Sequence, residues 1–234
     1  MGTCHMCPTS PSFDLTLSIE ENALVNCEQS LLYHRSPVSK LAEVLTANSN
    51  NRKLTENQFN TVVTDLRLNV QDLDTVGSPM FNFYKGCRVK GYYDLSKLLV
   101  VATLLGSGST EDRVAVLFDL LPALEGGMAT ALSLDWLVDQ VFLVAAKSLP
   151  QLVQADDPVR GVSLSPDQVT AYMTRLADNL PLAKPAAVRL LLKEQQRLSR
   201  QDLVRGLEGP GVLGKFLRPL EARVFFLRDE FRSK

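Results

Sequence analysis

The sequence predicts an all-α chain of helix–loop–helix hairpins arranged as two pairs, with short β bridges joining the loops within each pair. Three observations predict this. One short pattern recurs along the chain, helix-start signals precede amphipathic runs, and the composition supports a substantial core. The pattern is an apolar residue, a small polar or acidic one, three variable positions, then an apolar residue opening a helical run. It reads Leu54-Thr55-Glu56-Asn57-Gln58-Phe59, Tyr93-Asp94-Leu95-Ser96-Lys97-Leu98, Leu132-Ser133-Leu134-Asp135-Trp136-Leu137 and Leu198-Ser199-Arg200-Gln201-Asp202-Leu203. The first three copies begin 39 residues apart (54, 93, 132), and the fourth follows after 66. With 234 residues, 45% of them hydrophobic, the chain can bury one large core or two smaller ones.

This pattern is how the second half of a calcium-binding EF-hand loop hands over to its exiting helix. Such a loop has twelve residues, with oxygen ligands at positions 1, 3, 5, 7, 9 and 12, glycine at 6 and a bidentate glutamate at 12. Setting the apolar residue at position 8 makes the first loop Ala47 to Gln58 and the second Gly86 to Lys97. The first offers neutral oxygens from Ser49, Asn51 and Thr55, with Gln58 in the last place, so nothing balances the desolvation of a dication. The second carries Arg88, Lys90 and Lys97 where oxygens belong, although Gly91 keeps the turn position. The third is read as expanded: Pro122 stands first, about four extra residues precede Leu132, and Trp136, which has no acceptor oxygen, stands last. The fourth begins at Leu191 and ends on Asp202, a single carboxylate. No loop is expected to hold a metal, and no cofactor is expected.

The best match to a known family follows these loops. The run Asp94-Leu95-Ser96-Lys97-Leu98-Leu99-Val100-Val101-Ala102-Thr103-Leu104-Leu105 is followed by Gly106-Ser107-Gly108-Ser109-Thr110-Glu111 and a helix ending Phe118-Asp119-Leu120-Leu121. It resembles the central signature of the four-EF-hand family that includes the neuronal calcium sensors, the potassium-channel-interacting proteins, calcineurin B and related ciliary calcium sensors. That signature is an exiting helix, a Gly-Thr-type break and a helix ending Phe-x-Leu-Tyr-Asp. Here Leu121-Pro122 replaces the terminal Tyr-Asp, which removes the first calcium ligand.

Taken in order, residues 1–14 read as a flexible N-terminus, 15–105 as a first EF-hand pair, 106–207 as a second pair and 208–234 as a helical tail. The bridges would set Leu54 against Tyr93 and Leu132 against Leu198. Leu98 to Leu105 is far shorter than the ~20 apolar residues that span a bilayer, so it reads as a buried helix. Val114, Leu117, Phe118 and Leu121 fall at i, i+3, i+4 and i+7 behind acidic Glu111 and Asp112, one amphipathic helix. Pro150 and residues 155–161 read as a linker. Ser165-Pro166-Asp167-Gln168 is a capping box with proline at the first helical position, flanked by the hydrophobic staple pair Leu164 and Val169. After Pro219, the residues Leu220, Val224, Leu227 and Phe231 form an apolar stripe that either caps the second pair or occupies the chain's own groove.

Other constellations narrow the function. A net charge of −1 excludes a basic nucleic-acid binder. Cys4-His5-Met6-Cys7 has a C-x-x-C spacing without a second ligand pair, so it does not make a zinc site. Four cysteines and no signal peptide suit a reducing cytoplasmic compartment. Met1-Gly2 begins an N-myristoylation pattern with Cys4 and Cys7 as palmitoylation candidates, but Met6 stands where Ser or Thr is wanted. Cys87 lies among Lys85, Arg88 and Lys90, cations that favour a thiolate in an exposed loop; buried, it is an inert packing residue. With two histidines and no nucleophile elbow or phosphate-binding Gly-Lys motif, no acid, base or nucleophile is assigned.

The expectation is a non-catalytic, calcium-insensitive adaptor or structural subunit. An apolar groove between paired hands would receive an amphipathic partner helix within a larger complex. The resemblance implies a cytoplasmic setting, with a ciliary or flagellar axoneme or another cytoskeletal assembly preferred. Two alternatives stand beside it: a calcium-sensing regulatory subunit of an enzyme or channel with one unconventional site, and an N-terminally acylated membrane-peripheral protein.

Overall fold

Helices begin where short polar side chains can accept the first free backbone N–H groups, and the chain supplies such residues repeatedly. A computed structural model describes residues 17–154, 164–209, 213 and 216–228. Ser18 opens α1 (Ile19–Ser30); α2 (Val38–Ala47) follows a short 3-10 turn at Tyr33–Arg35. Thr55 caps α3 (Glu56–Leu66) and Ser78 caps α4 (Pro79–Lys85). Asp94 caps α5 (Leu95–Leu105), and Ser109 caps α6 (Thr110–Phe118) in a capping box with Asp112. Thr130 caps α7 (Ala131–Phe142), which runs on through a π-turn (Leu143–Ser148) and a 3-10 turn (Leu149–Gln154). Ser165 and Gln168 form the capping box of α8 (Pro166–Leu192), Ser199 caps α9 (Arg200–Glu208), and Pro219 starts α10 (Pro219–Phe226). Each such cap contributes about 1 kcal/mol to its helix.

Among the described residues the fold is therefore mostly helical, with one small antiparallel sheet. Strands β1 (Lys53–Leu54), β2 (Arg88–Val89) and β3 (Tyr92–Asp94) lie in the order β1-β3-β2. Leu54 stands opposite Tyr93. A second, isolated antiparallel bridge joins Ala129 to Leu198, with N–H···O bonds of 2.8 and 2.9 Å in the two directions.

This second bridge corrects the expected partner of Leu198. It is Ala129, not Leu132, which is 63% exposed. In the other three loops the bridging residue immediately precedes the N-cap of the exiting helix: Leu54 before Thr55, Tyr93 before Asp94, Leu198 before Ser199. Thr130 is the cap of α7, so Ala129 takes the equivalent place and Leu132 falls one step inside the helix, on its outer side. The expected expansion disappears with it. Counted from Ala129 at the eighth place, the third loop is Pro122 to Ser133, with Gly127 at the sixth place and φ +75°.

One apolar cluster runs through every helix and across residues 105 and 106. Helix α2 packs on α5 and α6, α6 on α9, and α7 on α8, while α1 and α4 rest on the 3-10 turn beyond α7. The tail lies in this core. Helix α10 packs against α7, α8 and the π-turn, burying Ala222, Arg223, Phe225 and Phe226. The predicted stripe is corrected accordingly: Val224 is 44% exposed, Leu220 and Leu227 are only partly buried, and Phe231 lies outside the described residues. The reason is the ring cluster of Phe142, Phe216, Phe225 and Phe226, whose centroids lie 5.1 to 5.8 Å apart. It turns the aromatic side of α10 inward.

Candidate functional site

All four loops share one device: the side chain at the twelfth place bonds inside its own loop. In the first, Gln58 Oε1 accepts from the Thr55 backbone N–H at 2.8 Å and from Thr55 Oγ1 at 3.0 Å. In the second, Lys97 Nζ donates to the carbonyl of Gly86, the first residue of that loop, at 2.9 Å. In the third, the fully buried Ser133 donates through Oγ to the Pro122 carbonyl at 2.6 Å. In the fourth, Asp202 accepts from Ser199 Oγ at 2.6 Å and from its N–H at 3.2 Å. Those bonds hold the Asp202 carboxyl below the ordinary carboxylate range. Trp136 is therefore not a loop residue; it lies one turn further along α7, partly buried against the core.

The donor set fits a dication poorly. An ammonium group occupies the second loop, where it repels a second cation and already satisfies the carbonyl at the opposite end. Ser49 Oγ in the first loop donates to Thr46. Asn51 and Arg52 take the left-handed conformation there, at φ 49° and 60°. Ala47, Pro122 and Leu191 bring no side-chain oxygen to the first place of their loops. Among the described residues no group of three or more His, Cys, Asp or Glu is placed to hold a metal ion.

Between the first two loops the bridge is reinforced by rings. Phe59 stacks on Tyr93 with centroids 4.1 Å apart, and Tyr84 meets Phe59 edge-on at 5.2 Å. Arg88 lies over the Tyr93 ring at 4.6 Å and pairs with Glu56 at 3.3 Å. Cys87 is buried, and burial pushes its thiol up to about 12, so the neighbouring cations do not make it reactive.

Two arginines missed in the sequence lie at the centre of the molecule. Arg223 is fully buried; its guanidinium donates to Glu21 at 2.8 Å and Glu28 at 2.6 Å, and Tyr172 donates to Glu21. Burial opposes its charge, but Glu28 and Glu21 outweigh that and raise its pKa, while burial pushes the Glu28 carboxyl up against the pull of Arg223. This network clamps α10 onto α1, 195 and 202 residues away in sequence. No local signal announces such a pair.

Arg113, on α6, is 6% exposed. Its guanidinium donates to the carbonyls of Thr103, Leu104 and Gly106 at the end of α5, and to Leu217. Its Nε has no partner, and no carboxylate pairs with it among the described residues. Burial, aided by repulsion from Arg218 and opposed by Glu221 and Asp112, pushes it down to about 10. Arg113 lines a cleft of about 400 Å³ between α1, the turn at 106–108 and the start of α10. That turn needs glycine at 106, where a Cβ would lie 2.6 Å from Leu41 Cδ1 and 2.7 Å from the Ala102 carbonyl.

Gly2, Cys4 and Cys7, the acylation candidates, lie outside the described residues. No helix of the described residues is long and apolar enough to cross a membrane. Compared with known proteins, the chain matches no family model, no curated protein and no solved structure.

Proposed function

We propose that the chain is a calcium-insensitive, EF-hand-like adaptor or structural subunit, without catalytic activity, that binds an amphipathic partner helix. The observation that carries this reading is the self-closure of the four loops. In an ion-binding hand, the carboxylate at the twelfth place joins the two ends of the loop through the metal. Here Lys97 and Ser133 reach the carbonyl of their own first residue directly, while Gln58 and Asp202 secure the start of their exiting helices. The antiparallel bridges Leu54–Tyr93 and Ala129–Leu198 support this reading, each joining two loops directly before a helix cap. A hand held in this way has no ion-dependent switch, so its binding is constitutive. An amphipathic helix with anchors at i, i+3, i+4 and i+7 is the ligand such pairs accept. The setting, an axonemal or other cytoskeletal assembly in the cytoplasm, is proposed on the family resemblance alone.

Calcium titration of the full chain tests the switch. The expected result is no heat of binding and no rise in melting temperature, whereas a bound ligand at a hundredfold excess over Kd adds about 2.7 kcal/mol. A micromolar isotherm abolished by EGTA overturns the reading in favour of a calcium sensor. Cross-linking with mass spectrometry in native lysate tests the partner: its linked segment should carry helical apolar spacing, and links confined to segments without it overturn the helix-binding claim.

A further inference from the structure

We propose that the cleft between α1, the 106–108 turn and α10 binds a carboxylate carried on a compact apolar group, as in the C-terminal residue of a peptide. The inference is independent of the loop chemistry. Its root is a buried guanidinium that makes no direct ion pair among the described residues. Arg113 satisfies four carbonyls, yet its Nε is unpartnered and no acid pairs with it among the described residues. A second guanidinium, Arg218, lines the same cleft and repels the first. A buried charge is weakly screened, so it favours an anion at the cleft more strongly than a surface charge does.

The acids nearby make their direct contacts elsewhere or stand apart from Arg113. Glu28 lines the cleft but is turned to Arg223 at 2.6 Å, a guanidinium it shares with Glu21. Asp112 is tied into the capping box of α6 by Ser109. Glu221, in the first turn of α10 after its N-cap Arg218, lines the cleft together with Arg113 and His34. The walls between the charges are apolar, formed by Val25, Leu104 and Leu220. A volume of about 400 Å³ lies within the range of small-ligand sites. Arg218, exposed at the rim, supplies the planar fork that suits a carboxylate, and Arg113 supplies charge from below.

The test is a titration of the ¹⁵N-labelled full chain with N-acetyl-leucine at constant ionic strength, followed through the backbone amides of Gly106, Ser107, Gly108 and Leu220. Saturable shifts are expected, absent with N-acetyl-leucinamide and weakened about tenfold in Arg218→Gln, the loss of one charge-assisted contact. Arg218 is exposed, so this variant should keep the wild-type spectrum elsewhere. Sodium sulfate separates a built site from general attraction of anions. No saturable shift, equal shifts with the amide, no effect of Arg218→Gln, or the same shifts with sulfate would each overturn the proposal.

Discussion

The first and second loop pairs make the same backbone contact and hold it by different means. In the first, Leu54 and Tyr93 meet within a three-stranded sheet, and Phe59, Tyr84 and Arg88 pack around them from neighbouring elements. In the second, a single bridge joins Ala129 to Leu198, and the nearby ion pair Arg197–Glu125, 2.6 Å long, lies at the surface. Support for the second half comes instead from α10, whose phenylalanines fill the space beside α7 and whose Arg223 reaches α1. A loop pair without an ion can thus be stabilised locally by rings, or remotely by a helix from the other end of the chain.

The sharpest way to break this contrast is to unclamp α10. Arg223→Met leaves Glu21 and Glu28 buried without their cation, and should cost about 3–5 kcal/mol in urea unfolding; a loss under about 1 kcal/mol would show that the second half does not depend on α10. Next comes Leu54→Asp, which buries an unpaired charge in the first pair and should cost about 3 kcal/mol or more. Gln58→Ala, at the end of the same loop, should cost far less, and equal losses would mean that the bridge does not organise the first half.

Smaller changes separate the loops themselves. Ser133→Ala removes the hydrogen bond from a fully buried hydroxyl to the Pro122 carbonyl and should cost about 1–2 kcal/mol, while Lys97→Met removes an exposed contact and should cost about 1 kcal/mol or less. The reverse order in thermal unfolding would show that the second loop, not the third, depends more on its closing residue.

The pH dependence of the clamp provides a finer comparison. Burial raises the Glu28 carboxyl above its ordinary 4.5. A raised folded-state value means that its stabilising contribution is complete below the unfolded value and is lost as pH rises through the folded one. Wild type should therefore gain stability relative to Glu28→Gln as pH is lowered through the raised folded-state value, read from urea midpoints; an unchanged difference refutes the assignment. The smallest effect belongs to Arg197→Ala, an exposed pair worth at most about 0.5–1 kcal/mol. A larger loss would make the surface ion pair, rather than the buried bridge, the main link in the second pair.

Local chemistry made much of this architecture legible in the sequence. Ser165, Pro166 and Gln168 announce the start of α8 because a cap acts on backbone groups within one turn, and the run from Leu98 to Leu105 announces a buried helix because no polar face interrupts it. The Leu54–Tyr93 contact follows from the position of each residue directly before a helix cap, again a short-range signal. The partner of Leu198 differs from the expected one for a related reason: Leu132-Ser133 imitates the apolar–polar step of the other copies, whereas the Thr130–Ser133 capping box sets Ala129 before the helix.

What the sequence by itself determined is where helices start, which runs must be buried and which loop positions lack ligand oxygens, since each depends on residues a few places apart. Only the tertiary structure decided that α10 turns Phe225, Phe226 and Arg223 inward, and that Arg113 is buried with its guanidinium on backbone carbonyls. An arginine in a short amphipathic segment is read as solvent-facing because burying its charge alone is prohibitive. The partners that make burial possible for Arg223, Glu21 and Glu28, stand 202 and 195 residues away, at a distance over which no spacing or periodicity carries information.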